Sequence, residues 1–469
     1  MFAVGFGYLI IASLLLMLFL SLLSLFHRNK KAAFSGNIIL LALISVSSFA
    51  VMYSASSGSV LFGIISMSAF SAFFIGLFSA ALILVSMLAF DSSSDYPLFS
   101  FLLSLAMLGM FFVASATNLL QILLGLEMVV LPTAAMLLSE GRSRLEAAMK
   151  LFVLSVLSVT VLAFAISLVF PYNPSLSLSS ISLSGSGAIP YFLILAAVLF
   201  AAALGVESAQ FPFNFWVPDV YQGSPGHIAA MLSGVNKKVA FVAIMEILLV
   251  MLIALKGVLS PMLAILAIFT MFFGNLLAMV QGNVKRLFAY SSISQAGYIM
   301  IGIAAAASIG AVGVRASIFQ IFAHLFMIIG AFAIVSYLER LNFKSIEDYS
   351  GMVSASPSIA IVLTILMLSM AGVPPLIGFY GKFLLFSSAL SANYFYLAVF
   401  GIINSFMSIY YYGKLINSMF IKKGKAQVRI APITLMVAYV CVAVVLVFGI
   451  YPQPIIHAAS LASSALYSI

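Results

Sequence analysis

A charged side chain in the middle of an apolar helix costs about 2.5–3.5 kcal/mol on insertion scales. This chain holds several. Glu127, Lys150, Glu207, Lys237, Lys238, Glu246 and Lys382 all lie within long apolar runs of a 469-residue sequence that is 64% hydrophobic and only 7% charged. Such residues in such surroundings do acid–base chemistry. A dry bundle weakens a lysine's hold on its proton and a nearby carboxylate restores it, so a small movement turns the amine from proton acceptor to donor. Glu127 lies about ten residues from either end of its run, too deep for the carboxylate to reach water. Lys382 is equally deep and follows a helix break.

Quieter readings stand beside this one. Glu146 and Lys150 are spaced i,i+4 at a helix start, which also fits a simple interfacial pair. Lys238 is about 100° around the helix from Lys237, where snorkelling or a local partner accounts for it. Glu246 is near the outer end of its run and reads as interfacial. For Glu127 and Lys382 the alternative to a proton or ion site is a buried structural ion pair.

The elements that must hold these residues are apolar runs near twenty residues long, recurring from end to end, the pattern of an all-α polytopic membrane protein. The runs do not alternate, which excludes a β-barrel. Fourteen spans are expected: about 4–26, 36–55, 66–90, 97–115, 117–138, 145–170, 190–222, 227–252, 259–281, 287–309, 315–338, 357–390, 392–418 and 431–452. No basic residue precedes the first, and HRNKK follows it, so it is read as a retained helix. Fourteen of the twenty lysines and arginines fall in odd-numbered loops, from Arg28, Lys30 and Lys31 to Lys422, Lys423, Lys425 and Arg429. Only Lys256 and Arg315 fall in even-numbered loops. The positive-inside rule then predicts a multi-pass protein of a prokaryotic plasma membrane, with odd loops cytoplasmic and both termini outside.

Other functions find no support. Cys441 is the only cysteine, and no CxxC, nucleotide loop or HExxH occurs, so neither a soluble-type active site nor a redox centre is expected in this chain, and no cofactor or metal. The net charge of +9 comes from residues between apolar spans and does not indicate nucleic-acid binding.

Two spans carry prolines deep inside. The seventh holds Pro212 and Pro218, and the twelfth reads AGVPPLIGFYGK with Pro374 and Pro375. Proline lacks an amide proton and clashes with the preceding turn, so both helices are expected to break, a feature tolerated only in a protein interior or beside a water-filled cavity. Lys237, on the next helix, can face that water. Spans 4–8 and 9–13 form two five-helix units with the broken helix fourth in each, and an odd helix count inverts the second unit. The expected organisation is a three-helix segment at 1–96, a first repeat at 97–252, an inverted second repeat at 253–418, and a loop with a final helix at 419–469.

The motifs TNLLQILLGLEMVVLP (117–132), EAAMKLFVLSVLS (146–158), PFNFWVPDVYQGSP (212–225), KRLFAYSSISQAGYIMIG (285–302) and LSMAGVPPLIGFYGKF (368–383) resemble, in order and spacing, subunit N of proton-pumping quinone oxidoreductases of the complex I type. Multisubunit sodium/proton antiporters share that fold and are the nearest alternative; a solute permease and a scaffold without transport are weaker ones. The resemblance implies that Glu127 is a fifth-helix glutamate paired with a lysine, Lys150 a sixth-helix lysine on the cytoplasmic side, Lys237 the central lysine and Lys382 a lysine near the outer exit. It also implies a place among antiporter-like and quinone-site membrane subunits in the bilayer, with protons as cargo and electron transfer elsewhere in the complex. Where the family usually has a seventh-helix lysine, this chain has Glu207, so Glu127 needs Lys150 or Lys237 as its partner instead. His324 falls between the Lys237 and Lys382 regions and is either a proton relay, as a histidine is in sister subunits, or a packing residue. His227, where relatives carry proline or valine, reads as a cap or surface residue.

Overall fold

In a bilayer an apolar run can satisfy its own backbone only by coiling, and helices account for nearly all of this chain. A computed structural model describes residues 2–54, 57–178, 190–421 and 431–467; the basic cluster Lys422, Lys423, Lys425 and Arg429 lies outside the described residues. The helices α1 (Phe2–His27), α2 (Lys30–Tyr53), α3 (Ala69–Phe90), α4 (Tyr96–Ala114), α5 (Leu119–Ser139) and α6 (Leu145–Val169) come first. Short polar side chains stop and start them: Asn29, Ser68, Asp95 and Asn118 each accept a first-turn amide proton as N-caps. A small hairpin, β1 (Gly58–Val60) with β2 (Ile65–Met67), joins α2 to α3 and is the one sheet among the described residues of an all-α fold.

The seventh span breaks as expected. Helix α7 (Tyr191–Ser208) ends at Ala209, whose φ of 63° is left-handed, and α8 (Trp216–Gly223) resumes after Pro212. The twelfth does the same. After the short α14 (Met352–Ala355), α15 (Pro357–Ala371) ends at Gly372, φ 93°, and α16 (Ile377–Ser391) resumes beyond Pro374 and Pro375. Both breaks close with the same bond, from the amide two residues beyond the last helical one back to a carbonyl one turn up: Gln210 to Gly205 at 2.8 Å, Val373 to Leu368 at 3.0 Å.

Between the two breaks, residues 226–251 form a continuous helical run: α9 (Gly226–Met231), a π-helical turn at Leu232–Asn236, α10 (Lys237–Ile244), and a second π segment at Met245–Met251. Then come α11 (Lys256–Met279), α12 (Val284–Ile309) and α13 (Ala311–Arg340). Past the second break lie α17 (Phe395–Phe420), α18 (Pro432–Ile450) and α19 (Gln453–Leu466). Among the described residues, twelve helices are long and apolar enough to cross a membrane as single segments. The expected spans at 227–252 and 357–390 are not among them, because π turns interrupt the first and the proline break divides the second. The sequence also hid α19, whose buried Ile455, Ala458, Ala459, Ala462, Ser463 and Leu466 recur at helical spacing while Gln453, His457 and Ser464 face outward. Helices α12 and α13 are buried along most of their length, whereas α1, α6 and α17 turn many large apolar side chains outward.

Candidate functional site

The interior helices hold the polar residues. At one end of the array stand two carboxylates. Glu207, in the last turn of α7, has the hydroxyls of Ser155 and Ser158 on α6 and the carboxylate of Glu127 on α5 as its polar neighbours, and its Oε1 is buried without a hydrogen-bond partner. This is the proximity the sequence leads one to expect. The lysine expected to join them does not. Lys150 pairs instead with Glu146 at 2.8 Å and Asp219 at 2.7 Å, with 39% of its side chain exposed. Lys237 donates to Ser292, to Oγ at 2.6 Å and to the carbonyl at 3.1 Å. Neither meets Glu127: the Lys237 side chain reaches across to α12, and the start of α6 packs beside α8.

The twin lysines divide their work. Lys237 is 1% exposed and also stands over the Tyr221 ring at 5.6 Å. Lys238, expected to snorkel or find only a local partner, is equally buried: it donates to the Ser233 carbonyl and meets Nδ1 of His324 at 2.9 Å. His324 is therefore not bonded to a backbone carbonyl, and its Nε2 has no partner among the described residues.

One face of α12 connects this region to Lys382. Ser292, Gln295 and Tyr298 recur every three residues, a rise of about 9 Å from first to last. Ser292 receives Lys237. Gln295 accepts from Gln320 at 2.8 Å, and Gln320 lies one turn from His324 on α13. Tyr298 presents its ring to Lys382, whose Nζ is 4.6 Å from the ring centre. Lys382 also donates to the Ala371 carbonyl and to Ser405 Oγ, both at 2.8 Å. The break explains that contact. In an unbroken helix Ala371 would receive the amide four residues on, but that residue is Pro375, which has none, so the lysine takes its place. At the other break the chain's only tryptophan adds a donor to the helix end: Trp216 Nε1 donates to the Val206 carbonyl of α7 at 3.0 Å, beside the Ala209 amide. A cavity of about 260 Å³ beside Lys382 is lined by Ser405, Phe379, Phe383, Phe386 and Phe406.

Two further expectations fail on burial. His227 is neither cap nor surface residue but 1% exposed, with Nδ1 2.7 Å from Ser92 Oγ. Glu246 is not interfacial but 3% exposed, in the second π segment, with Oε2 unpartnered. The sequence reading also missed residues that the fold makes central. Asp219 joins Lys150 to Arg286, the latter at 2.7 Å. Ser292, Gln295, Gln320 and Tyr298 complete the inner row. The signal for the three on α12 was present: SSISQAGY places polar groups at three- and four-residue spacing inside an otherwise apolar span.

The row of amines, imidazole, amides and hydroxyls can pass protons but offers no grip on a larger solute, and comparison with known proteins agrees in kind. Residues 116–408 match the family described as "NADH:quinone oxidoreductase/Mrp antiporter, TM". The NADH-quinone oxidoreductase subunit N of Desulfitobacterium hafniense is 34% identical over 341 residues, covering 68% of each chain. The F(420)H(2) dehydrogenase subunit N of Methanosarcina mazei is 36% identical over 340 residues, covering 69% of this chain and 68% of its own. In respiratory complex I from Thermus thermophilus, one chain superposes with a TM-score of 0.82 at 26% identity, over 96% of this chain and 99% of that one. A chain of the Mrp complex from Dietzia shares the fold at a TM-score of 0.90 and 18% identity, over 99% and 97%. With its family match spanning well over half its length and relatives above 30% identity across two thirds of it, the chain belongs to the NADH:quinone oxidoreductase/Mrp antiporter transmembrane family.

Proposed function

We propose that this chain is a proton-translocating membrane subunit of a complex I-type oxidoreductase, driven by quinone reduction carried out in other subunits. The observation that carries the reading is the set of buried polar pairs across the interior helices, Lys237 on Ser292, Lys238 on His324, Gln320 on Gln295 and Lys382 on Tyr298, with the carboxylates of Glu207 and Glu127 at one end. Each member is a proton donor or acceptor, and unpartnered buried atoms along it, such as Gln320 Oε1, recruit water between them. In this reading the chain contributes no redox centre and needs no cofactor of its own. Its partners are other antiporter-like and quinone-site membrane subunits, its setting is a prokaryotic plasma membrane, both termini lie outside, and units 97–252 and 253–418 act as inverted halves around the two breaks.

Charge moves when one amine changes its hold on a proton. A carboxylate approaching Lys237 favours the ammonium, and its withdrawal leaves a buried amine that releases the proton toward the imidazole of His324 or on to Lys382. The test is the purified intact complex in proteoliposomes, with quinone reduction and internal acidification followed together. Lys237→Met and Lys382→Met are expected to assemble, to keep electron transfer, and to lose most of the coupled acidification. Full coupling in both would refute the reading. Sodium-driven pH change without an electron donor would instead favour sodium/proton exchange.

A further inference from the structure

His227 and Glu140 form a pair that the row above does not use. His227 starts α9, the helical run that carries the twin lysines, and its ring packs edge-on against Phe99 at 5.2 Å. Its Nε2 is 3.5 Å from Glu140 Oε1, with 0% and 7% of the two side chains exposed. Glu140 follows directly on α5 and is held by Ser93 Oγ at 2.7 Å and the Ser94 amide at 3.3 Å, from the loop between α3 and α4. The remaining charged groups around the ring are Lys285 of α12, itself paired with Glu339, and Arg340 of α13; Asp91 and Asp95 of the loop are exposed.

Counting protons on the ring shows what the pair does. Ser92 Oγ has one hydrogen and two acceptors in reach, the Leu88 carbonyl at 2.6 Å and His227 Nδ1 at 2.7 Å. If the hydrogen goes to Leu88, Nδ1 must be the donor, and Nε2 and Glu140 face each other lone pair to lone pair unless a further proton stands between them. If it goes to Nδ1, the ring's own hydrogen is on Nε2 and points at Glu140. In the second arrangement a proton occupies the line from Nε2 to Oε1; in the first that line is vacant and can take one. At 3.5 Å that line is longer than a settled hydrogen bond, as acid–base pairs often are at rest.

Further polar groups lie along α5 on the way to the twin lysines. Thr133, two turns back from Glu140 on α5, accepts from Asn236 Nδ2 at 2.8 Å, and Asn236 immediately precedes Lys237. Asn236 Oδ1 is buried without a partner. Glu127 lies further along the same α5.

We propose that Glu140 and His227 are the intake pair for protons from the side of the positively charged loops, holding each proton before it passes by Thr133 and Asn236 to Lys237. The inference rests on the translocation reading above. One proton leaves water for the Nε2–Oε1 line and the same proton is later released inward, so the pair returns to its starting state.

The experiment measures coupled acidification by the intact complex in proteoliposomes between pH 6 and 9, for the parent, Glu140→Gln, His227→Gln and His227→Ala. An intake group matters most when protons are scarce. Glu140→Gln and His227→Gln should lose about a hundredfold at the alkaline end, the lower end of what removing a positioned acid–base group costs, and far less at pH 6. Imidazole added to His227→Ala should recover part of the loss, which a merely structural role would not allow. Profiles that superimpose on the parent would overturn the proposal. Lys237→Met in the same preparation separates the two readings. Should it also pump normally, the translocation reading fails; should it alone stop pumping, only the intake assignment fails. If a variant does not assemble, 15N-histidine NMR of the parent decides: Nε2 of His227 is expected to gain a proton between pH 9 and pH 6, and a protonation state unchanged across that range would refute the pair.

Discussion

Nζ of Lys238 stands 2.9 Å from Nδ1 of His324, and both side chains are 1% exposed. An ammonium here donates to Nδ1, which places the ring's hydrogen on Nε2, an atom without a partner among the described residues. A neutral amine can instead receive a hydrogen from Nδ1. Two bases in one dry site cannot both be charged cheaply, so at most one of them carries a charge at a time. His324→Leu is therefore expected to leave the complex assembled and quinone reduction intact while lowering coupled acidification at least about tenfold. Lys238→Met should do the same, and the double variant should be no worse than either single one. Additive losses in that double-mutant cycle would show that the two act separately.

Glu207 occupies the place where the family resemblance implies a lysine, beside Glu127. Glu207→Lys recreates the implied pair and should assemble and retain at least part of the acidification. Glu207→Gln keeps the shape and removes the titration, so it should impair pumping if that carboxylate carries or gates protons. Normal pumping by Glu207→Gln would make the acid structural and confine the route to Glu127 and the lysines.

The ion-pair cluster at the edge of the bundle should respond unevenly. Lys150 is 39% exposed, so Lys150→Met is expected to leave the melting temperature nearly unchanged, because water screens such a pair. Asp219→Asn removes the common partner of Lys150 and Arg286 and should cost more than Lys150→Met in the same thermal-shift measurement. If Lys150→Met also leaves acidification unchanged, Lys150 is an interfacial ion-pair residue and no part of the route.

Gly378 packs against the Ser369 carbonyl where α16 crosses the end of α15, with no room for a Cβ. Gly378→Ala should force the two halves of the broken helix apart at a cost of about 1–3 kcal/mol. Lys382 would then lose its hold on Ala371. A lower melting temperature together with lost coupling is the expected result; unchanged values for both would show that the break is pliable.

Topology is open to a direct check. Cys441 is fully buried, so labelling of single cysteines introduced at the surface reads cleanly. A cysteine replacing Lys30 should react only from the cytoplasmic side and one replacing Lys256 only from outside. Reversal at either position would overturn the orientation drawn from the positive loops.

Much of this could be read before any coordinates. Apolar run length dictates helices in a bilayer, because no other local structure satisfies the backbone there. Pro212, Pro374 and Pro375 fix the breaks, because proline removes the amide that would continue the helix. The depth of Glu127, Glu207, Lys237 and Lys382 within those runs marked them as costly and so worth explaining. What the chain order does not encode is which neighbour each charge meets. Lys150 turned to Asp219, sixty-nine residues away, rather than to Glu127. Lys238 turned inward to His324 across eighty-six residues, because a π turn rotated the start of α10 in a way that a 3.6-residue period does not anticipate. His227 and Glu246 sit near the ends of apolar runs, where sequence position alone suggests solvent, yet neighbouring helices cover both. Run length and proline placement act within one segment, so the sequence by itself determined the helices and their breaks. Partner choice depends on how separate helices pack and rotate, and only the tertiary structure decided it.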